Sequence, residues 1–184
     1  DDAIKGTDFE NLDLLPADFS YRNLDLLLED AKNPYRRLRK ILCSLDTEYD
    51  YVFLDCAPSI SLTSESILYA ADIVLVPTIP TTLSLRTLAQ LLRFCRKNDI
   101  TDMRLIPFFS MVDKRKQMHR VVLRSPPKTP EPILKNWIPY SSEVEKMGMH
   151  RTPIDCFSPN GIAGKAYQAL WKELKERIET NSIS

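Results

Sequence analysis

Short apolar runs alternate along the chain with longer segments in which apolar residues recur every three or four positions. The apolar runs predict buried strands at 49–59, 72–76 and 103–111, and shorter strands at 11–16 and 136–138. The segments with helical spacing predict helices at 62–71, 82–98 and 162–178, and another that begins at Pro34. This order of strands and helices predicts an α/β fold, a three-layer sandwich around a mostly parallel sheet.

The stretch 49–59 carries the strongest chemical signal. Its apolar run ends in a lone aspartate, Asp55, and a turn that contains Pro58 follows. A buried parallel strand of this kind brings one carboxylate to the C-terminal edge of its sheet, where phosphate and magnesium sites are built. This is the pattern of a Walker B motif. The usual partner of that motif, a glycine-rich loop with a lysine that cradles phosphates, occurs nowhere in the 184 residues.

The composition is that of an ordinary globular protein, with 43% hydrophobic and 27% charged residues. Acidic and basic residues balance at 25 each, so attraction to nucleic acid would have to come from a local patch. The four cysteines are widely spaced, which argues against a zinc or iron–sulfur site and against a disulfide framework. No apolar run reaches the ~18 residues of a membrane span, and no signal peptide opens the chain. We therefore expect a cytoplasmic protein without a membrane span.

One segment of the chain is strongly basic. Between residues 114 and 128 there are six positive charges and no acidic residue, and His119 lies among them. A solvated surface and a surface for non-specific contact with DNA phosphates both explain such a run. The segment has no aromatic residues, which argues against stacking on single-stranded bases. The proline-rich stretch 125–132 that overlaps its end predicts a surface loop or a docking segment.

The order of these motifs resembles the ParA/MinD-type ATPases of bacterial chromosome and plasmid partitioning, and in particular their Soj-like members. The resemblance extends from about residue 9 to residue 178. Its motifs are Asn-Leu-Asp-Leu-Leu-Pro at 11–16, Tyr-Asp-Tyr-Val-Phe-Leu-Asp-Cys-Ala-Pro-Ser at 49–59, Ala-Ala-Asp-Ile-Val-Leu-Val-Pro at 70–77, the helix at 83–92, Met-Val-Asp-Lys-Arg at 111–115, Trp-Ile-Pro at 137–139 and Gly-Ile-Ala-Gly-Lys-Ala-Tyr at 161–167.

The resemblance implies a P-loop NTPase whose first strand and Walker A loop are missing from this chain. Residues 1–184 would form a single α/β domain, the C-terminal part of a longer nucleotide-binding domain. The implied activity is ATP hydrolysis in partitioning or protein positioning, with ATP and Mg²⁺ as cofactors. The implied partners are a second copy in an ATP-dependent homodimer, non-specific DNA, and an adaptor or cargo protein.

The resemblance also assigns roles to individual residues. Asp55 would be catalytic and hold Mg²⁺ through a water, while Pro58 and Ser59 would lie in the switch that senses the γ-phosphate. Asp113 and the Pro139–Tyr140 loop would contact the base of the nucleotide. The family's Ile-Pro-Arg-Asn-Val-Arg stretch reads Ile-Pro-Tyr-Ser-Ser-Glu at 138–143, without its arginines. DNA contact is therefore expected at the basic segment, through Lys114, Arg115, Lys116, Arg120 and Arg124.

Two other functions stay open. The chain also resembles the cobyrinic acid a,c-diamide synthases of the same superfamily, in which ATP activates a carboxylate for amidation. Such an enzyme would need a glutaminase domain with a nucleophilic cysteine, which this chain does not contain. The third possibility is a non-catalytic interaction module, a degenerate paralogue of the ATPases. A Walker A loop in the intact protein would favour an ATPase, and its absence there would favour the interaction module.

Overall fold

The computed structural model describes residues 3–16, 34–56 and 61–181, and the chain divides into two compact units, 1–71 and 72–184. In the first unit, strand β1 (Lys5–Gly6) pairs antiparallel with strand β2 (Asp13–Leu14). Helices α1 (Pro34–Cys43) and α2 (Leu62–Ala70) pack against each other. The two predicted helices are confirmed, whereas the strand predicted at 11–16 is reduced to two residues. The prediction of a single domain stays a prediction.

The predicted buried strand at 49–59 is wrong for its described part. Residues 51–56 belong to no strand, and the side chains of Val52 and Phe53 are 45% and 69% exposed. A strand exists only where its backbone groups form a ladder with a neighbour. The described strands of this unit, β1 and β2, form a two-stranded sheet that does not include residues 51–56. Pro58 and Ser59 lie outside the described residues.

The second unit is built on two parallel strands joined by a helix. Strand β3 (Ile73–Thr78) pairs with β4 (Arg104–Phe109) in a register that runs from Ile73 opposite Arg104 to Thr78 opposite Phe109. Helix α3 (Thr82–Lys97) makes the crossover that parallel strands require. It begins where the Thr81 hydroxyl accepts a hydrogen bond from the Ser84 N–H at 3.4 Å. The predictions for 72–76, 82–98 and 103–111 are confirmed.

Helices cover both faces of this pair of strands, because successive side chains of a strand point to opposite faces. On one face Ile106 packs with Leu134 and with Leu174 of helix α7 (Ile162–Asn181). On the other face Phe109 packs with Val112, with Val122 of helix α4 (Gln117–Arg124) and with Leu85 of α3. The second unit is thus a layer of strands between two layers of helices. The helix predicted at 162–178 is confirmed, and α4 was not predicted.

The segment after the proline-rich loop adds a third extended piece beside β4. Ile138 N–H donates to the Phe109 carbonyl at 2.9 Å, and a single parallel bridge joins Val112 to Pro139. The strand predicted at 136–138 is wrong, because only this isolated bridge forms and Pro139 has no N–H to extend the ladder. The loop prediction for 125–132 is confirmed. Helices α5 (Ser142–His150) and α6 (Ile154–Phe157) were not predicted.

Glu173 of α7 fastens the segment 131–136 to the helix. Its carboxylate accepts hydrogen bonds from Lys135 N–H (2.9 Å), Asn136 N–H (2.9 Å), the Asn136 amide (2.8 Å) and the Arg177 guanidinium (3.1 Å). Burial alone would raise the pKa of Glu173, but these hydrogen bonds and the charge of Arg177 outweigh burial and hold the pKa below its ordinary value. The ionised carboxylate therefore stabilises this side of the unit.

Among the described residues, no helix is long and apolar enough to cross a membrane. Within 3–16, 34–56 and 61–181 there is likewise no group of three or more histidine, cysteine or acidic side chains that could hold a metal ion by itself.

Candidate nucleotide site and basic turn

The candidate site lies where the parallel segments of the second unit end. Strands β3 and β4 run in the same direction, so their carboxyl ends meet at one edge, and the Ser110 N–H donates to the Thr78 carbonyl at 3.0 Å just beyond them. The extended piece at 138–140 ends at the same edge through its bridge to Val112. Nucleotide and phosphate ligands of parallel α/β sheets bind at this edge.

Asp113 and Tyr140, two residues expected to contact the base, lie on neighbouring segments at this edge. The Val112 N–H donates to the Ile138 carbonyl and the Tyr140 N–H donates to the Val112 carbonyl, each at 3.0 Å. Met111 has a φ of 53°, in the left-handed region that few residues other than glycine adopt. Such strained positions cluster at functional sites. The structure thus brings Asp113, Pro139 and Tyr140 together.

The Asp113 side chain is engaged by its own loop. Both carboxylate oxygens bind Arg115, with Nε to Oδ1 and Nη2 to Oδ2 at 2.9 Å, and the Arg115 N–H adds a third hydrogen bond to Oδ1 at 3.0 Å. The hydrogen bonds from the Arg115 side chain, more than any other cause, lower the pKa of Asp113 to about 2. The Asp113 side chain is only 12% exposed, while that of Arg115 is 84% exposed. The ion pair therefore leaves a paired guanidinium at the surface.

We call residues 113–116 the basic turn. It is closed from helix α4, where one guanidinium nitrogen of Arg120 donates to the carbonyls of Lys114 (2.8 Å) and Arg115 (2.9 Å). The Lys114 ammonium lies 4.9 Å from the centre of the Trp137 ring, a cation–π contact. The side chains of Lys116 and Arg124 are exposed and form no hydrogen bond or ion pair with any residue that the structure describes. Of the five cations expected at DNA, three have side chains that bond to described residues, whereas the side chains of Lys116 and Arg124 form no hydrogen bond or ion pair with them.

His119 of α4 is a feature of the site that sequence reasoning noted but could not place. Its side chain is 1% exposed, and its Nδ1 accepts the Asp113 N–H at 3.0 Å. Burial, together with the positive charge of Lys116, lowers the pKa of His119 below its ordinary value despite the nearby Asp113 carboxylate. Because Nδ1 accepts the Asp113 N–H, it carries no proton, and the imidazole is in its neutral form. A histidine six residues after an aspartate in an otherwise basic run was the signal available from the sequence.

Asp55 lies in the first unit, in the exposed segment 51–56. Although the Cys56 side chain is exposed, partial desolvation of its thiol and, secondarily, the Asp55 charge raise the pKa of Cys56. Mg²⁺ in nucleotide sites is held by one or two carboxylates together with phosphate oxygens and waters, rather than by a cage of protein ligands. A single exposed carboxylate fits that mode of binding.

Comparisons with known proteins bear on the family and the fold of the chain. A family model described as an AAA domain matches residues 1–104. The sporulation initiation inhibitor protein Soj of Bacillus subtilis is 29% identical over 178 residues, which cover 94% of this chain and 70% of Soj. The crystal structure of a putative plasmid partition protein from Borrelia burgdorferi bound to AMPPNP superimposes with a TM-score of 0.78 at 20% identity, over 96% of this chain and 69% of that one.

A third comparison points to a metabolic relative. The cobyrinic acid a,c-diamide synthase of Mycobacterium smegmatis, with a bound ATP analogue and magnesium, is 30% identical at a TM-score of 0.66 and covers 77% of this chain and 59% of that enzyme. The fold defined by these comparisons is the α/β fold of the P-loop NTPases. Within that class the chain belongs to the AAA-domain family of the ParA/MinD-type ATPases.

Proposed function

We propose that this chain belongs to a partitioning or positioning ATPase that dimerises around ATP, binds DNA without sequence preference and acts on a cargo through an adaptor protein in the cytoplasm. The observation that carries the proposal is the placement of Asp113 beside Tyr140 at the carboxyl edge of a parallel pair of strands. It is supported by the similarity to Soj over 94% of the chain.

In this proposal Asp55 holds Mg²⁺ through a water. The metal, when bound, neutralises charge that develops on the transferring phosphoryl group. Pro58 and Ser59 belong to the switch that follows Asp55 in sequence, where they sense the γ-phosphate. Asp113, Pro139 and Tyr140 contact the base. Because Asp113 Oδ1 and Oδ2 are held by Arg115, contact at this position falls mainly to main-chain atoms of the loop.

DNA contact is assigned to the basic turn and to the start and end of α4. The side chains of Lys116 and Arg124 form no hydrogen bond or ion pair with a described acidic group, which makes them the strongest candidates for phosphate contacts. The contacts of Lys114, Arg115 and Arg120 hold the basic turn in place, and their charges add to the positive electrostatic potential there. The proposed binding is non-specific because phosphates are the same at every position of a duplex.

The deciding experiment is ATP hydrolysis by the intact protein with Asp55→Ala, with Asp50→Ala as the matched control. Both aspartates are exposed and lie in the stretch 49–59, and each change removes one negative charge. Asp55→Ala should lower kcat by roughly 100-fold, because a metal stabilises the transition state by several kcal/mol. Nucleotide binding should persist in weakened form, and Asp50→Ala should hydrolyse ATP at nearly the wild-type rate. An unchanged kcat in Asp55→Ala would assign Asp55 a structural role.

The second candidate function is the amidation carried out by cobyrinic acid a,c-diamide synthases, which the 30% identity to the Mycobacterium smegmatis enzyme favours. It is tested by incubating the intact protein with cobyrinic acid, ATP, Mg²⁺ and an ammonia donor. Formation of an amide product would support this function, whereas ATP turnover that responds to DNA and yields no amide would support partitioning. An intact protein that neither binds nor hydrolyses ATP would instead be the non-catalytic interaction module.

A further inference from the structure

His119 is a buried titratable side chain to which the proposed function gives no role. Helix α4 has two buried residues, His119 and Val122, three positions apart and therefore on the same side of the helix. Val122 packs against Phe109 and Val112 at the end of β4. The same inward side thus places the imidazole at the loop that follows Val112.

The hydrogen bond from Asp113 fixes the chemistry of the imidazole. Because the Asp113 N–H donates to Nδ1 of His119 at 3.0 Å, Nδ1 carries a lone pair and no proton. The proton of the neutral ring therefore lies on Nε2. Nε2 is buried, and no residue in the described part of the chain accepts a hydrogen bond from it. Burial of a donor without an acceptor is unfavourable, and an apolar side chain would avoid it. The bond at Nδ1 is therefore what distinguishes histidine from leucine here.

This bond is connected to the 138–140 segment through one residue. Asp113 directly follows Val112, whose N–H and carbonyl are both hydrogen-bonded, to Ile138 and Tyr140 respectively. The Asp113 carbonyl also accepts the Lys116 N–H at 3.1 Å, so the basic turn closes on the same residue. A change in the backbone of Asp113 would therefore be transmitted to Tyr140 and to the basic turn together.

We propose that His119 is a positioning residue: by accepting the Asp113 N–H at Nδ1, it sets the backbone of the Asp113 loop and so aligns Asp113, Pro139 and Tyr140 for contact with the nucleotide base. The inference rests on the proposed function, because it assumes that these three residues lie at the base. It assigns His119 no contact with the nucleotide. It predicts that the histidine affects recognition of the base and leaves recognition of the phosphates unchanged.

The test uses the intact protein with His119→Leu, His119→Asn and the exposed-site control Gln117→Ala on the same helix. Asparagine offers an oxygen acceptor close to the place of Nδ1, whereas leucine offers none. Binding is measured in Mg²⁺ for ATP and for tripolyphosphate, which has the phosphates without the base. His119→Leu should weaken ATP binding by roughly 3- to 10-fold, the worth of one hydrogen bond, and leave tripolyphosphate binding unchanged. His119→Asn should recover ATP affinity to within about 2-fold of wild type by restoring this bond.

A second measurement is made on the wild-type protein without nucleotide, so it does not depend on whether a variant folds. Nitrogen-15 NMR of the wild-type protein should show an unprotonated Nδ1 on His119 and slow exchange of the Asp113 amide hydrogen. A protonated Nδ1 or a rapidly exchanging Asp113 amide would overturn the proposal. So would a His119→Leu variant that binds ATP and tripolyphosphate as tightly as the wild type, or one that loses affinity for both equally. A wild-type protein that binds tripolyphosphate and not ATP would instead refute the assignment of the base site itself.

Discussion

The charges proposed to contact DNA can be separated from those that shape the basic turn by comparing matched double variants. The first variant combines Lys116→Gln with Arg124→Gln, which removes the two exposed cations whose side chains bond to no described residue. The control combines Arg86→Gln with Arg93→Gln, two exposed arginines on α3. Both variants lower the net charge by two, so any difference between them reflects the location of the charge.

The magnitude follows from counterion release. Each phosphate that a cation neutralises contributes roughly 0.9 to the slope of log K against log salt concentration. If Lys116 and Arg124 each contact one phosphate, their loss lowers the slope by about 1.8. Between roughly 50 and 200 mM salt the variant should then lose about tenfold less affinity than the wild type loses. The control pair should leave the slope within about 0.5 of the wild-type value.

The assay is fluorescence-anisotropy titration of the intact, ATP-loaded protein with duplexes of unrelated sequence at several salt concentrations. A single Arg115→Gln variant provides a further comparison, because the Arg115 charge is already offset by Asp113. Removing Arg115 should change the slope by less than removing Lys116. Equal slopes for the variant with Lys116→Gln and Arg124→Gln and for the wild type would mean that the basic segment is only a solvated surface.

Three further predictions concern stability and pH. Glu173→Ala should lower the free energy of unfolding by about 2 kcal/mol in chemical denaturation, because the half-buried Asn136 donors lose a charged acceptor. The control Glu176→Ala, on the exposed side of the same helix, should change this free energy by less than about 0.5 kcal/mol. This difference should shrink as acid protonates Glu173, because a lowered folded-state pKa gives stability that is lost as pH falls through it. Burial, and after it the charge of Lys116, lowers the pKa of His119 in the folded state, so in acid the unfolded chain binds more protons than the folded protein does. At pH values below about 6.5, the free energy of unfolding of the wild type should therefore decrease relative to that of His119→Leu.

The parts of the fold that the sequence predicts well are those with long periodic patterns. Strands β3 and β4 and helix α3 follow one another with clear apolar runs, and each was predicted to within a few residues. Helix α4 was not predicted because it is only eight residues long and lies in a segment interpreted by its charge, although Met118, Val121 and Val122 have helical spacing. Short helices held by tertiary contacts leave little periodic signal.

The segment at 51–56 shows a different limit. An apolar run indicates that burial would be favourable, but whether the run is a buried strand depends on a neighbour that completes its ladder. Val52 and Phe53 are residue types typical of a buried strand, but their side chains are exposed in the described structure. The apolar run therefore indicates that these residues would favour burial if another segment covered them. The run ends at Asp55 whether or not a ladder forms, so the proposed role of Asp55 is unchanged.

Charge in a sequence does not state which charges are available to a ligand. The run from 114 to 128 contains six cations, yet the structure commits Arg115 to Asp113 and Arg120 to two backbone carbonyls. These contacts depend on the conformation of the basic turn. In our proposal that conformation is set by His119, a buried neutral residue that a count of charges does not include. The basic segment is thus both a structural element at the proposed base site and a candidate DNA surface. Any change that loosens the turn should consequently affect nucleotide and DNA binding together, whereas the Lys116 and Arg124 changes should affect DNA binding alone.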